Sequence, residues 1–137
     1  MYNKFLTNKG YDFDNCISTK YWSIKTRIEY IQRKILICSI IYYELNSNMM
    51  TDNDYNIISQ QLTKLMTNTD ISVVKKTKYY YVFKDFSSST GFDLYSNLNK
   101  EDKQYLYNLS CMLVNRGMNN NCKIKSGKSK RSKKNEW

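Results

Sequence analysis

Between residues 24 and 45, apolar side chains return every three or four positions: Ile24, Ile28, Ile31, Ile35, Cys38 and Tyr42. Lys25, Arg27, Glu29, Gln32 and Arg33 occupy much of the opposite side. That period marks an amphipathic helix and outweighs the modest helix propensity of isoleucine. Ser18 or Thr19 offers a capping hydroxyl, so the spacing predicts a helix from there to about Leu45. Asn46, Ser47 and Asn48 favour a turn. Thr51 then caps a second helix, with Asp52 and Asp54 complementing the positive end of its dipole. Tyr55, Ile58, Leu62 and Leu65 form its apolar stripe, which should end between Met66 and Thr69.

The pattern is less regular beyond this pair. Ile71 to Val74 is a short apolar piece and Lys75 to Lys78 a basic connector. Tyr79 to Phe83 has the aromatic and β-branched content of a strand. Ser87 to Gly91 reads as a loop, and Phe92 to Tyr95 as a returning strand, which predicts a small β-hairpin supported by a helix. Asn99 caps a third helix, with Tyr105, Leu109, Met112 and Leu113 as its buried stripe and Leu106 on the flank. Arg116 suits its last turn and Gly117 the left-handed position after it. Tyr2, Phe5, Tyr11, Phe13 and Ile17 follow no period, so residues 1–18 read as an arm laid on the core. The fold class expected is α+β and mainly helical: a helix–turn–helix pair, a small β-hairpin and a third helix in one domain over residues 1–117. Residues 118–137, polar and basic, are expected to form a disordered tail.

Composition narrows the function classes. With 41% apolar residues the chain can bury a core, but its longest apolar run, Ile35 to Tyr43, is interrupted by Ser39 and far too short to span a membrane. The polar start lacks the apolar segment of a secretory leader, which points to a cytoplasmic protein without membrane contact. There is no histidine, hence no ordinary general base near neutral pH. Cys16, Cys38, Cys111 and Cys122 are scattered, with no metal-ligand spacing, so no metal site and no required cofactor are expected. Gly127-Lys128-Ser129 matches the end of a phosphate-binding P-loop but lacks its upstream glycine and strand.

The net charge is +10 and is concentrated at one end. Lys123, Lys125, Lys128, Lys130, Arg131, Lys133 and Lys134 face only Glu136 within residues 118–137. Such a tail can contact RNA, DNA or an acidic partner in a salt-dependent manner, or simply solubilise the chain. A second dense stretch interleaves Tyr79, Tyr80, Tyr81, Phe83 and Phe86 with Lys75, Lys76, Lys78 and Lys84. It reads either as a stacking platform with a basic rim or as a hairpin whose alternate rings make core. Ser89, Thr90 and Gly91 offer a weak phosphate-binding loop.

The most specific pattern is Tyr42, Tyr43, Asn46, Asp52 and Tyr55, with Ile58 at the next apolar position. A tyrosine ring gives a flat face on which a base or a cationic ring can stack. A carboxylate matches vicinal ribose hydroxyls. Equally, Tyr42 and Tyr55 can pin two helices together with Asp52 as a helix-end charge. Over residues 24–66 the chain resembles the small N-terminal Ia domain of bacterial NAD-dependent DNA ligases and short phage proteins with the same motif. The resemblance implies a nicotinamide nucleotide as ligand, with Tyr42 and Tyr55 flanking the ring, Tyr43 at a Tyr-or-His position and Asp52 on the ribose or carboxamide. Asn56 stands where the family has Asp, and Asn48 where it has the turn proline. The adenylation motif K-x-D-G is missing, with Lys84-Asp85-Phe86 the nearest string, and so are the zinc module and helix–hairpin–helix repeats. The expectation is therefore a non-catalytic, phage-type binding protein that takes a nucleotide at Tyr42, Tyr43, Asp52, Tyr55 and Asn56, or binds a host protein or ribonucleoprotein complex. A third reading supplies the Ia-like module in trans to a nucleic-acid enzyme. Size, composition and charge also fit a phage-encoded, anti-CRISPR-like inhibitor of host immunity that binds the effector or its nucleic acid, though a charge of +10 is opposite to DNA mimicry.

Overall fold

The long amphipathic period forms the central helix of the molecule. The computed structural model describes residues 5–86 and 93–118. Helix α1 spans Ile24–Tyr43. Its cap is Ser23, whose Oγ accepts from the Thr26 N–H at 3.2 Å, so the helix starts later than Ser18 or Thr19. Thr19 is otherwise engaged: its hydroxyl donates to the carbonyls of Phe13 at 3.0 Å and Cys16 at 3.3 Å, holding residues 16–22 in turns. Ile28, Ile31, Gln32 and every residue from Ile35 to Ile41 are buried, so the second half of α1 is covered on all sides. A fully buried aliphatic side chain of this kind contributes about 1.5–3 kcal/mol. Ile24 and Tyr42, the ends of the expected stripe, are exposed.

Asn46 takes a left-handed conformation (φ 54°) and reverses the chain after α1. Helix α2 spans Asp52–Asn68 and packs against α1. Thr51 Oγ1 accepts from the Asp54 N–H at 3.0 Å, the cap expected from the sequence. Ile58, Ser59 and Leu62 are buried, with Tyr55 and Leu65 half-buried beside them.

The segment expected to form a strand is helical. Helix α3, Ile71–Val74, is capped by the Asp70 carboxylate, and helix α4 spans Tyr80–Phe83. Tyr79, Val82 and Phe83 are buried at a spacing of three and four, so core packing selects a helical turn over β propensity. Residues 87–92 are outside the described residues; Leu94 leads into a 3₁₀ helix, Tyr95–Asn97. The small hairpin instead lies in the arm. Strands β1 (Leu6–Thr7) and β2 (Gly10–Tyr11) pair antiparallel, with Leu6 opposite Tyr11 and Thr7 opposite Gly10.

Helix α5, Lys100–Met118, packs on α1. Asn99 Oδ1 accepts from the Asp102 N–H at 2.8 Å, as the sequence predicts for its start. The buried face differs: Leu106, Ser110, Cys111 and Val114 face the core, while Tyr105 and Met112 are exposed. Small Ser110 and Cys111 let α5 approach α1 closely, where a tyrosine and a methionine would hold it off. The helix continues through Gly117 to Met118, so residue 118 belongs to it. The basic segment from residue 119, with all seven of its lysines and arginine, is outside the described residues. The described architecture is mainly helical with one small antiparallel hairpin. No helix among the described residues is long and apolar enough to cross a membrane.

Candidate ligand site at the junction of the first two helices

Burial of α1 ends abruptly at Ile41. Tyr42 and Tyr43 are 52% and 41% exposed, and their rings meet edge to face with centroids 4.8 Å apart. Two aromatic side chains therefore project from the end of the covered half of α1, just before the turn at Asn46. Asp52 and Asn56, four residues apart on α2, share its exposed side. None of the described hydrogen bonds or ion pairs engages the Asp52 carboxylate.

Tyr55 is placed differently. Its ring is half-buried and its hydroxyl fully buried between α1 and α2, near the buried hydroxyls of Ser39 and Ser59. The three groups fall short of hydrogen-bond geometry. Burial raises the Tyr55 phenol above its ordinary pKa, and the dipoles of Ser39 and Ser59 oppose that shift. The nearby Tyr43 adds to it. Tyr55 thus acts first as a pin between two helices, and Tyr42 and Tyr43 are the rings accessible from solvent. Nothing in the sequence marks Ser39 and Ser59 as neighbours of Tyr55, because single serines on an apolar face carry no pattern.

The second dense stretch separates into core and rim. Tyr79, Val82 and Phe83 are buried and Tyr80 and Phe86 half-buried, so most of its rings serve the core and not a stacking platform. Tyr81 is 39% exposed, and its hydroxyl donates to Asp102 Oδ2 at 2.6 Å while accepting from the Asn99 N–H at 3.1 Å. This bond joins α4 to the start of α5. Burial, aided by the Asp102 charge and opposed by the Asn99 N–H, pushes the Tyr81 phenol up to about 12. Ser89, Thr90 and Gly91 lie outside the described residues.

Cys38 is buried as expected, and burial pushes its thiol up to about 12 against the pull of the Lys34 ammonium. That position is too desolvated for a nucleophile. Among the described residues, no group of three or more Cys, Asp or Glu side chains is placed to hold a metal ion.

The sequence also gave no hint of the clamp that seats the arm. Gln61 on α2 accepts from the Tyr11 N–H at 2.8 Å and donates to the Tyr11 carbonyl at 2.9 Å. Its amide replaces the strand that β2 would otherwise need. Comparison of the chain with protein-family models, curated proteins and solved structures finds no match.

Proposed function

We propose that this chain is a non-catalytic binding protein and that it takes a nicotinamide-type nucleotide at the α1–α2 junction. The observation that carries this reading is the exposed Tyr42–Tyr43 pair at the end of a buried helix. About half of the surface of each of these residues stays open to water, and a planar ligand recovers that apolar area by stacking. Asp52, exposed and unengaged on the following helix, supplies an acceptor for ribose hydroxyls or a carboxamide. Tyr55 keeps the two helices at a fixed distance and backs the site from within. The absence of histidine and of any adenylation motif supports binding without catalysis.

Titration calorimetry with nicotinamide mononucleotide, NAD and ADP-ribose tests this. The first two should bind and ADP-ribose, which lacks the nicotinamide ring, should bind more weakly. Tyr42→Ala should remove about 1–3 kcal/mol of stacking and Asp52→Ala about 1.5–3 kcal/mol of charge-assisted hydrogen bonding. Both residues are exposed, so neither change threatens the core. No heat with any of the three compounds would end the nucleotide reading.

A further inference from the structure

We propose that the α3–α4 connector, together with the N-terminal half of α1, is a phosphodiester-backbone contact surface for a nucleic acid. Lys75, Lys76, Lys78 and Lys84 are all exposed, although the aromatic residues between them turn inward. The fold adds a lysine from elsewhere in the chain. Glu29 Oε2 accepts from the Lys78 main-chain N–H at 2.9 Å and lies 3.0 Å from Lys25 Nζ, which brings Lys25 beside the connector. Carboxylates that face these cations are already engaged. Glu29 is held as described, Asp102 is held by the Tyr81 hydroxyl at 2.6 Å, and Asp70 caps α3. Lys78 Nζ lies a long 4.0 Å from Asp102 and 5.6 Å from the Tyr79 ring centroid, and Asp85 is the exposed acid of the segment.

Lys25 and Lys78 are thus joined through Glu29, Lys78 and the accessible Tyr81 share Asp102, and Lys75, Lys76 and Lys84 are exposed on the same segment. Compact, strongly hydrated ammonium groups suit repeated phosphates, where binding is driven by counterion release and requires little shape matching. An exposed tyrosine on such a lysine-rich segment can stack on an unpaired base. This surface is formed by residues other than the Tyr42–Tyr43 site and does not depend on nucleotide binding there.

The test is fluorescence anisotropy of the full chain with labelled single-stranded and duplex RNA and DNA, over a series of salt concentrations. Lys75→Glu/Lys76→Glu/Lys84→Glu is compared with Lys9→Glu/Lys64→Glu/Arg116→Glu, which changes the net charge equally at exposed positions elsewhere. Lys75→Gln/Lys76→Gln/Lys84→Gln serves as a milder version if charge reversal disturbs folding. The connector triple should weaken binding about ten-fold and lower the slope of log affinity against log salt by about 2–3, since each phosphate contact contributes roughly 0.7–0.9. The control triple should leave most of the slope intact. Whether single strands or duplexes, and RNA or DNA, bind best identifies the source of the phosphates. An unchanged slope in the connector triple, an equal loss in both triples, or retention only on phosphatidylserine vesicles would overturn the proposal.

Discussion

Replacing Gly10 by alanine should detach the N-terminal arm, and the structure says by how much. Gly10 sits at φ +108°, a conformation that costs an L-residue about 1–3 kcal/mol. An added Cβ would also fall on the Gln61 carboxamide, 2.7 Å from its Cδ. That amide makes both hydrogen bonds to the Tyr11 main chain, each worth about 0.5–1.5 kcal/mol. Strain and loss of the clamp together give a destabilisation of about 2–6 kcal/mol. Tyr11 and Phe13 are buried core residues with Phe5 and Tyr30 packed around them, so the loss should register in global unfolding and not only in local fraying. Urea denaturation of wild type, Gly10→Ala, Gln61→Ala and the double variant separates the two terms. If Gly10→Ala acts partly by expelling the Gln61 amide, it should cost at least about 1 kcal/mol less in the Gln61→Ala background than in wild type. Equal costs in both backgrounds, or a Gly10→Ala protein as stable as wild type, would refute the clamp.

Two further outcomes concern buried phenols. Burial, aided by the Asp102 charge and opposed by Arg33, pushes Tyr79 up to about 12, against about 10 in an unfolded chain. Because the folded pKa is raised, this contribution is complete below pH 10 and is lost as pH climbs toward 12, to the extent of about 3 kcal/mol. Urea unfolding at pH 9 and 11.5 should therefore show a steep alkaline loss that Tyr79→Phe reduces; an equal loss in that variant would place its cause elsewhere. Tyr81 titrates in the same window but is more than one-third exposed, so solvent screening leaves it a smaller share. Tyr55→Phe should leave stability in urea unchanged or raise it by up to about 1–3 kcal/mol, because the hydroxyl it removes is buried without a hydrogen bond; a loss above about 1.5 kcal/mol would mean that Ser39 or Ser59 holds it.

What the sequence makes legible follows from periodicity and caps. The α1–turn–α2 pair, the Thr51 and Asn99 caps and the burial of Cys38 all rest on local rules that tertiary packing left in force. The errors occur where packing overrides local preference. Tyr79 to Phe83 has strand composition, yet Val82 and Phe83 reach the core together with Tyr79 only in a helical turn. On α5 size does not predict burial: Tyr105 and Met112 are exposed, whereas the small Ser110 and Cys111 are buried in a helix that packs on α1. The hairpin in the arm depends on an amide 50 residues away, a contact that no local rule encodes. At the junction, the aromatic pattern located Tyr42, Tyr43 and Tyr55 but could not distinguish the two exposed rings from the buried pin.

The most direct test of nucleotide binding at the junction is a nuclear magnetic resonance titration of ¹⁵N-labelled protein with nicotinamide mononucleotide. Saturable amide shifts should be concentrated between residues 42 and 56 and disappear in Tyr42→Ala, with the α3–α4 connector left unmoved. Shifts centred elsewhere, or a spectrum unchanged at millimolar ligand, would contradict it.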